Sequence, residues 1–91
     1  DIVKLITDFY NLEEATVYEK TRRKEIVKAR QVIMYILRED FNVSYPLIGQ
    51  KLRGKDHTTV IHSHLKIRND LKVDQTLVDE VEQIRVLFKS V

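Results

Sequence analysis

The sequence predicts an all-α domain of about six short helices around one core. Two observations support this fold class. Apolar residues recur at the helical period of 3.6 along most of the chain, and good capping residues precede several of these stretches. Only two glycines and one proline occur in 91 residues, which disfavours a turn-rich β architecture. The length suits a single domain over residues 1–91, and no linker or composition shift divides it.

The first half of the chain predicts three helices. Asp1 can cap a first helix, whose apolar face is formed by Ile2, Ile6 and Phe9. A break at residues 11–12 precedes a short second helix over residues 13–19, with acids in its first turn. A third helix is expected from about Arg22 to Arg38. Its apolar positions follow the helical period: Ile26, Ala29, Ile33, Ile36 and Leu37.

The second half predicts three more helices. Ser44 is a good N-cap for a short fourth helix, and the proline that follows suits a first turn. Gly54 can adopt positive φ in the next turn, after which Asp56 caps a fifth helix that runs to about Leu71. Asp74 can cap a sixth helix, whose apolar stripe is Leu77, Val81, Ile84 and Phe88.

The net charge of +2 conceals a polarised distribution. Residues 20–38 hold seven bases and one acid, whereas residues 1–19 hold one base and five acids. Residues 39–72 carry +2, and residues 73–91 carry −2. A basic middle between acidic ends indicates a polyanionic partner that approaches one face. The alternatives are a solvated helix face or a basic helix lying on acidic lipid, although the core needs the apolar side of that helix.

The fourth and fifth helices, with the turn at residues 53–55, have the form of a helix-turn-helix. In that motif the second helix enters the DNA major groove with its N-terminus first. Asp56, His57, Thr58 and Thr59 would lie at that tip. Helix propensity does not explain two threonines in a first turn, but a threonine hydroxyl and methyl can read base edges. The alternative is that Asp56 and Thr58 only cap the helix, with His57 exposed to solvent.

A family resemblance joins these features. Residues 54–62, Gly-Lys-Asp-His-Thr-Thr-Val-Ile-His, closely resemble the signature of the C-terminal DNA-binding domain of the bacterial replication initiator family DnaA. The family form is Gly-Arg-Asp-His-Thr-Thr-Val-Leu-His. Phe9-Tyr10, Arg30-Gln31 and residues 44–49 fit further family blocks, and the resemblance covers about residues 2–71. It implies a Trp-repressor-like helix-turn-helix domain that binds short duplex sites at replication origins, the DnaA boxes.

The resemblance also implies roles for individual residues. By position, the contacts to bases would come from Lys24, Pro46, Asp56, His57 and Thr58. The contacts to phosphates would come from Arg30, Gln31, Arg38, Lys55, Thr59 and Lys66.

Four positions depart from the family pattern. Lys24 and Lys55 replace arginines, so they keep the charge but lose the bidentate fork, and Arg23 is an alternative to Lys24. Leu47 stands where an acid often completes a capping box. Arg53 replaces a small residue and adds a base near the phosphates. The family's ATPase module is absent from the sequence, which suits either an excised domain or a free-standing DnaA-like binder.

Other chemistries have weaker signals. Residues 49–55 have P-loop spacing, but Asp56 follows where a hydroxyl should bind Mg²⁺, and no strand precedes them. His57, His62 and His64 form no i, i+4 pair, the chain has no cysteine, and His64 shares the core stripe. No group of catalytic residues is recognisable, and no apolar run approaches the length of a membrane span. We therefore expect neither an enzyme nor a bound cofactor or metal.

The leading interpretation is a cytoplasmic, nucleoid-associated protein that binds double-stranded DNA, with one monomer per site. The alternatives are a helical protein-interaction module that docks an acidic partner, and a free-standing DnaA-like transcriptional regulator. Glu13, Glu14 and Glu19, or the last helix, could contact a regulatory protein.

Overall fold

The computed structural model describes residues 1–90, which contain five α-helices, one 3-10 helix and no strand. The elements in chain order are α1 (Ile2–Phe9), the 3-10 helix (Glu14–Tyr18), α2 (Lys24–Phe41), α3 (Tyr45–Lys51), α4 (His57–Asp70) and α5 (Gln75–Lys89). The predicted all-α fold class of about six helices is therefore confirmed. Over this part of the chain, no helix combines the length and hydropathy needed to cross a bilayer.

Helix α2 is the central element of the fold, with α1, the 3-10 helix, α3 and α4 packed around it. Every residue from Val32 to Leu37 is buried, so the middle of α2 is covered on all sides. Complete burial of a side chain such as Ile33 contributes about 1.5–3 kcal/mol. The charged residues of α2 therefore lie outside this buried stretch, and its N-terminal half carries three bases of the basic segment, Lys24, Lys28 and Arg30.

The ends of α2 differ from the sequence prediction of about Arg22 to Arg38. The helix begins two residues later because Arg23 is extended, with φ −60° and ψ 130°, and acts as the N-cap. It continues through Phe41, and Asn42 then ends it in the left-handed conformation with φ 52°. The backbone N–H groups of residues 42 and 43 both donate to the Leu37 carbonyl oxygen, which closes the helix end.

Helix α5 packs mainly against α1 and buries Leu77, Val81 and Ile84. Polar contacts also join it to α2: Arg85 forms a two-pronged ion pair with Asp40, with N···O distances of 2.8 and 2.9 Å. Glu80 lies 2.8 Å from the Lys28 amine and accepts a 3.0 Å hydrogen bond from the Tyr10 hydroxyl. Burial raises the pKa of Tyr10, and the Glu80 carboxylate raises it further, so the phenol remains a hydrogen-bond donor.

The connection between α3 and α4 is a tight turn. Arg53 and Gly54 both have left-handed backbone conformations, with φ 64° and 78°. The N–H groups of Gly54 and Lys55 both donate to the Gly49 carbonyl oxygen at 3.0 Å. Gly49 is buried, and a Cβ at this position would collide with the Lys55 carbonyl oxygen. Glycine is therefore required at two places, for close approach at Gly49 and for backbone conformation at Gly54.

The Gly49 contact leads to a prediction about stability. Gly49→Ala is expected to destabilise the domain by about 2 kcal/mol or more, although alanine is the better helix former. The added methyl group would meet a backbone carbonyl that cannot rotate away. Urea unfolding followed by circular dichroism measures the difference. Gln50→Ala, at an exposed neighbour, is the control and should change stability by less than about 0.5 kcal/mol. Equal stability of Gly49→Ala and wild type would show that the turn moves aside.

Candidate nucleic-acid interface

The first turn of α4 presents four polar side chains to solvent, those of Asp56, His57, Thr58 and Thr59. Asp56 caps the helix, because its Oδ1 accepts the Thr58 N–H at 3.1 Å. The same oxygen lies 3.6 Å from His57 Nδ1. Both side chains remain at least 60% exposed. A carboxylate has two acceptor oxygens, so one can cap the helix while the other faces a base. The capping and base-reading interpretations of Asp56 are therefore compatible.

The orientation of α4 is set by a buried histidine. His64 is 4% exposed, and its Nε2 lies 2.8 Å from Glu39 Oε1 on α2. Its Nδ1 lies 3.1 Å from the Tyr45 hydroxyl on α3, and its ring stacks on Tyr35 with centroids 5.5 Å apart. Two ring nitrogens and a ring face are thereby held by three residues on two helices. This arrangement confirms the core role predicted for His64, and it fixes the rotation of α4 about its axis.

Lys24, Gln31 and Lys66 lie together, since all three line one groove between α2 and α4. Lys24 is the first residue of α2 and is exposed. The positive charge of Lys66 is partly compensated by Asp70, whose carboxylate lies 2.9 Å from the Lys66 amine. Pro46 lies apart from this groove, in the exposed first turn of α3. The predicted contact residues named so far thus lie in one groove and in the first turns of α2, α3 and α4.

Arg30 has a structural role that the sequence did not reveal. Its Nε donates to the Val17 carbonyl oxygen and its Nη2 to the Glu19 carbonyl oxygen, each at 2.9 Å. The guanidinium therefore ties the end of the 3-10 helix to α2. A guanidinium has five N–H donors, so these two bonds leave others available for a phosphate.

Arg38 is also engaged within the domain. Its Nη1 donates to the Val43 carbonyl oxygen at 3.3 Å, and its guanidinium lies 4.6 Å from the centre of the Tyr45 ring. Both contacts brace the short connection between α2 and α3. The phosphate contacts predicted for Arg30 and Arg38 remain predictions, and the structure adds these internal contacts beside them.

Lys55, at the end of the turn between α3 and α4, lies within the electrostatic influence of two other cations. Partial burial lowers the pKa of Lys55, and the positive charges of Arg30 and Lys20 lower it further. Like charges repel one another, and an incoming anion would relieve that repulsion. Sequence reasoning selected Arg30 and Lys55 as contact residues but counted Lys20 only as part of the basic segment. Only the tertiary fold brings residue 20 near Lys55, so the charge pattern could not place it there.

The family described as "Bacterial dnaA protein helix-turn-helix" matches residues 1–67 of the chain. The chain belongs to this DnaA family. It is also similar to two curated proteins named "Chromosomal replication initiator protein DnaA", from Limosilactobacillus reuteri strain DSM 20016 and from L. reuteri subsp. reuteri strain JCM 1112. Each is 40% identical over 89 residues, which is 98% of this chain.

The same matches cover 20% of each relative, so this DnaA-family chain spans about a fifth of the length of those proteins. The family resemblance drawn from residues 54–62 is confirmed. The matched region contains α3, the turn and most of α4.

The cap at Asp56 leads to a prediction that separates its capping hydrogen bond from its charge. Asp56→Ala is expected to lower stability by about 1 kcal/mol, because the Thr58 N–H loses its partner. Asp56→Asn should cost much less, because asparagine caps a helix equally well. Thermal unfolding of both variants measures the difference. If both variants lost the same stability, the carboxylate charge, and not the cap, would be the stabilising feature.

Proposed function

We propose that this DnaA-family domain binds double-stranded DNA sequence-specifically at DnaA-box-like sites, one domain per site, with the first turn of α4 in the major groove. The observation that carries the proposal is the exposed polar tip of α4, held rigidly by the Gly49 turn and by His64. A tip of this kind matches the part of a helix-turn-helix that reads base edges.

Base reading would fall to the polar side chains of the tip. Thr58 offers a hydroxyl and a methyl, His57 a ring nitrogen, and Asp56 a carboxylate oxygen that can accept from a base amino group. Pro46, exposed in the first turn of α3, would pack beside a thymine methyl group. Lys24 would enter the neighbouring minor groove from the start of α2.

Phosphate contacts would hold the domain in register on the duplex, because backbone contacts position a protein without reading sequence. They would come from Arg30, Gln31, Arg38, Lys55, Thr59 and Lys66. The net charge of +6 over residues 20–38 supports this division of roles, since all of that charge lies on α2 and the segment before it. Several such contacts would make the affinity fall steeply with salt.

The relatives carry the name of a chromosomal replication initiator. We therefore infer that the wider role of the protein is recognition of a replication origin, in the cytoplasm at the nucleoid. A regulatory protein would then act on the surface that remains free of DNA.

The first prediction from the proposed function tests base reading at the tip. His57→Ala and Thr58→Ala are each expected to weaken binding to a DnaA-box duplex by about 1–3 kcal/mol and to flatten the preference over random duplex. Both side chains are exposed, so the fold should persist. Fluorescence anisotropy with the two duplexes at about 0.15 M salt, within the range where specific binding is commonly compared, measures both affinities.

The same titration separates the two function classes. If His57→Ala retained full discrimination, the assignment of base reading to this residue would be wrong. If the unmodified domain bound neither duplex, the DNA-binding proposal would be wrong, and a protein-interaction module with a basic face would be favoured.

A second prediction concerns the phosphate contacts. Lys55→Gln is expected to weaken binding to specific and random duplexes alike and to reduce the slope of log affinity against log salt by about 1. Stability should not fall, because the substitution removes a charge that Arg30 and Lys20 repel. Salt titrations of binding, with thermal unfolding as the control, measure both effects. An unchanged salt slope would exclude a phosphate contact at Lys55.

A further inference from the structure

Arg53 occupies a backbone conformation that arginine rarely adopts. Its φ of 64° lies in the left-handed region, directly before Gly54 with φ 78°. A residue with a Cβ is strained there, and glycine or asparagine would be the unstrained choice. Strain that a fold retains at a surface position points toward a role for the side chain. The side chain of Arg53 is exposed, so burial in the core does not account for it.

The side chain of Arg53 is nevertheless held in place. Its guanidinium lies 5.3 Å from the centre of the Tyr18 ring, within the range of a cation–π contact. Tyr18 is the last residue of the 3-10 helix, and Arg30 binds the carbonyl oxygens of the residues on either side of it. The ring is therefore a fixed platform. The Tyr18 hydroxyl is beside Glu14, and Arg53 faces the ring.

Four cations share this end of the domain. Arg53 lies two residues from Lys55 in the sequence. The positive charges of Arg30 and Lys20 lower the pKa of Lys55. Lys20 is exposed and follows the Tyr18 platform by two residues. Clustered cations beside the turn that leads into α4 form an electropositive surface at the edge of the proposed reading helix.

We propose that Arg53, positioned by Tyr18 and flanked by Lys20, forms an additional binding site for a backbone phosphate of duplex DNA. The site rests on the proposed function and adds residues to it. As the tip of α4 enters the major groove, the turn three residues before Asp56 lies at the edge of the groove, where the phosphate backbone runs. A guanidinium already held against a ring loses less freedom on binding than a mobile one.

Arg53→Asn tests the site with little effect on the fold. Asparagine tolerates the left-handed conformation, so relief of strain offsets loss of the ring contact, and the melting temperature should change by only a few degrees. Affinity for a DnaA-box duplex and for random duplex should each fall roughly fivefold at about 0.15 M salt, and the salt slope should decrease by about 1.

Two further variants separate charge from position. Arg53→Lys keeps the cation and should keep the salt slope of the unmodified domain. Tyr18→Leu keeps Arg53 but removes its platform, so affinity should fall about twofold with the slope unchanged. Lys89→Gln is the matched control, because it removes one exposed cation from the far end of α5 and should alter neither affinity nor slope.

The outcomes distinguish this site from the proposed function. If the unmodified domain binds DNA and Arg53→Asn matches its affinity and slope, Arg53 only braces the turn and the site is overturned. An Arg53→Lys slope that falls as far as that of Arg53→Asn would also overturn it. If the unmodified domain binds no duplex at all, the proposed function fails and the site fails with it.

Discussion

The carbonyl oxygen of Gly49 accepts hydrogen bonds from the N–H groups of both Gly54 and Lys55, and this pair of bonds sets where α4 starts relative to α3. The approach is so close that the residue at position 49 can have no side chain. Once α4 starts at that point, His64 reaches its partners on α2 and α3, and the polar first turn faces solvent. The position of the α4 tip thus depends on a few backbone atoms.

Local signals in the sequence were sufficient to predict most of the fold. The caps at Ser44, Asp56 and Asp74 act as predicted, each accepting a backbone N–H in the first turn of its helix. The ends of α2 were harder to predict from the sequence. Arg23 is the N-cap, but its side chain makes no capping hydrogen bond. The end at Asn42 depends on a left-handed residue, which sequence favours but does not require. Short-range chemistry therefore predicted where helices exist better than where α2 begins and ends.

The candidate site was predicted in part. The tip residues were identifiable because they are consecutive in sequence and match a family signature. The internal contacts of Arg30 and Arg38 were not, since their acceptors are carbonyl oxygens that any residue carries. Nor does sequence show that Tyr18 lies under Arg53, 35 positions later, or that Lys20 lies near Lys55. Contacts of this kind arise from packing, so the cations that also organise the fold became visible only in three dimensions.

The family match ends at residue 67, whereas the hydrophobic core does not. Leu77, Val81 and Ile84 of α5 lie beyond the match, and each is at least 97% buried. A fragment cut at the end of the match would leave the surface under these three side chains open to water. The limits of a sequence family and those of a folding unit are therefore different boundaries here. The first encloses the residues proposed to read DNA, and the second encloses everything needed to hold them still.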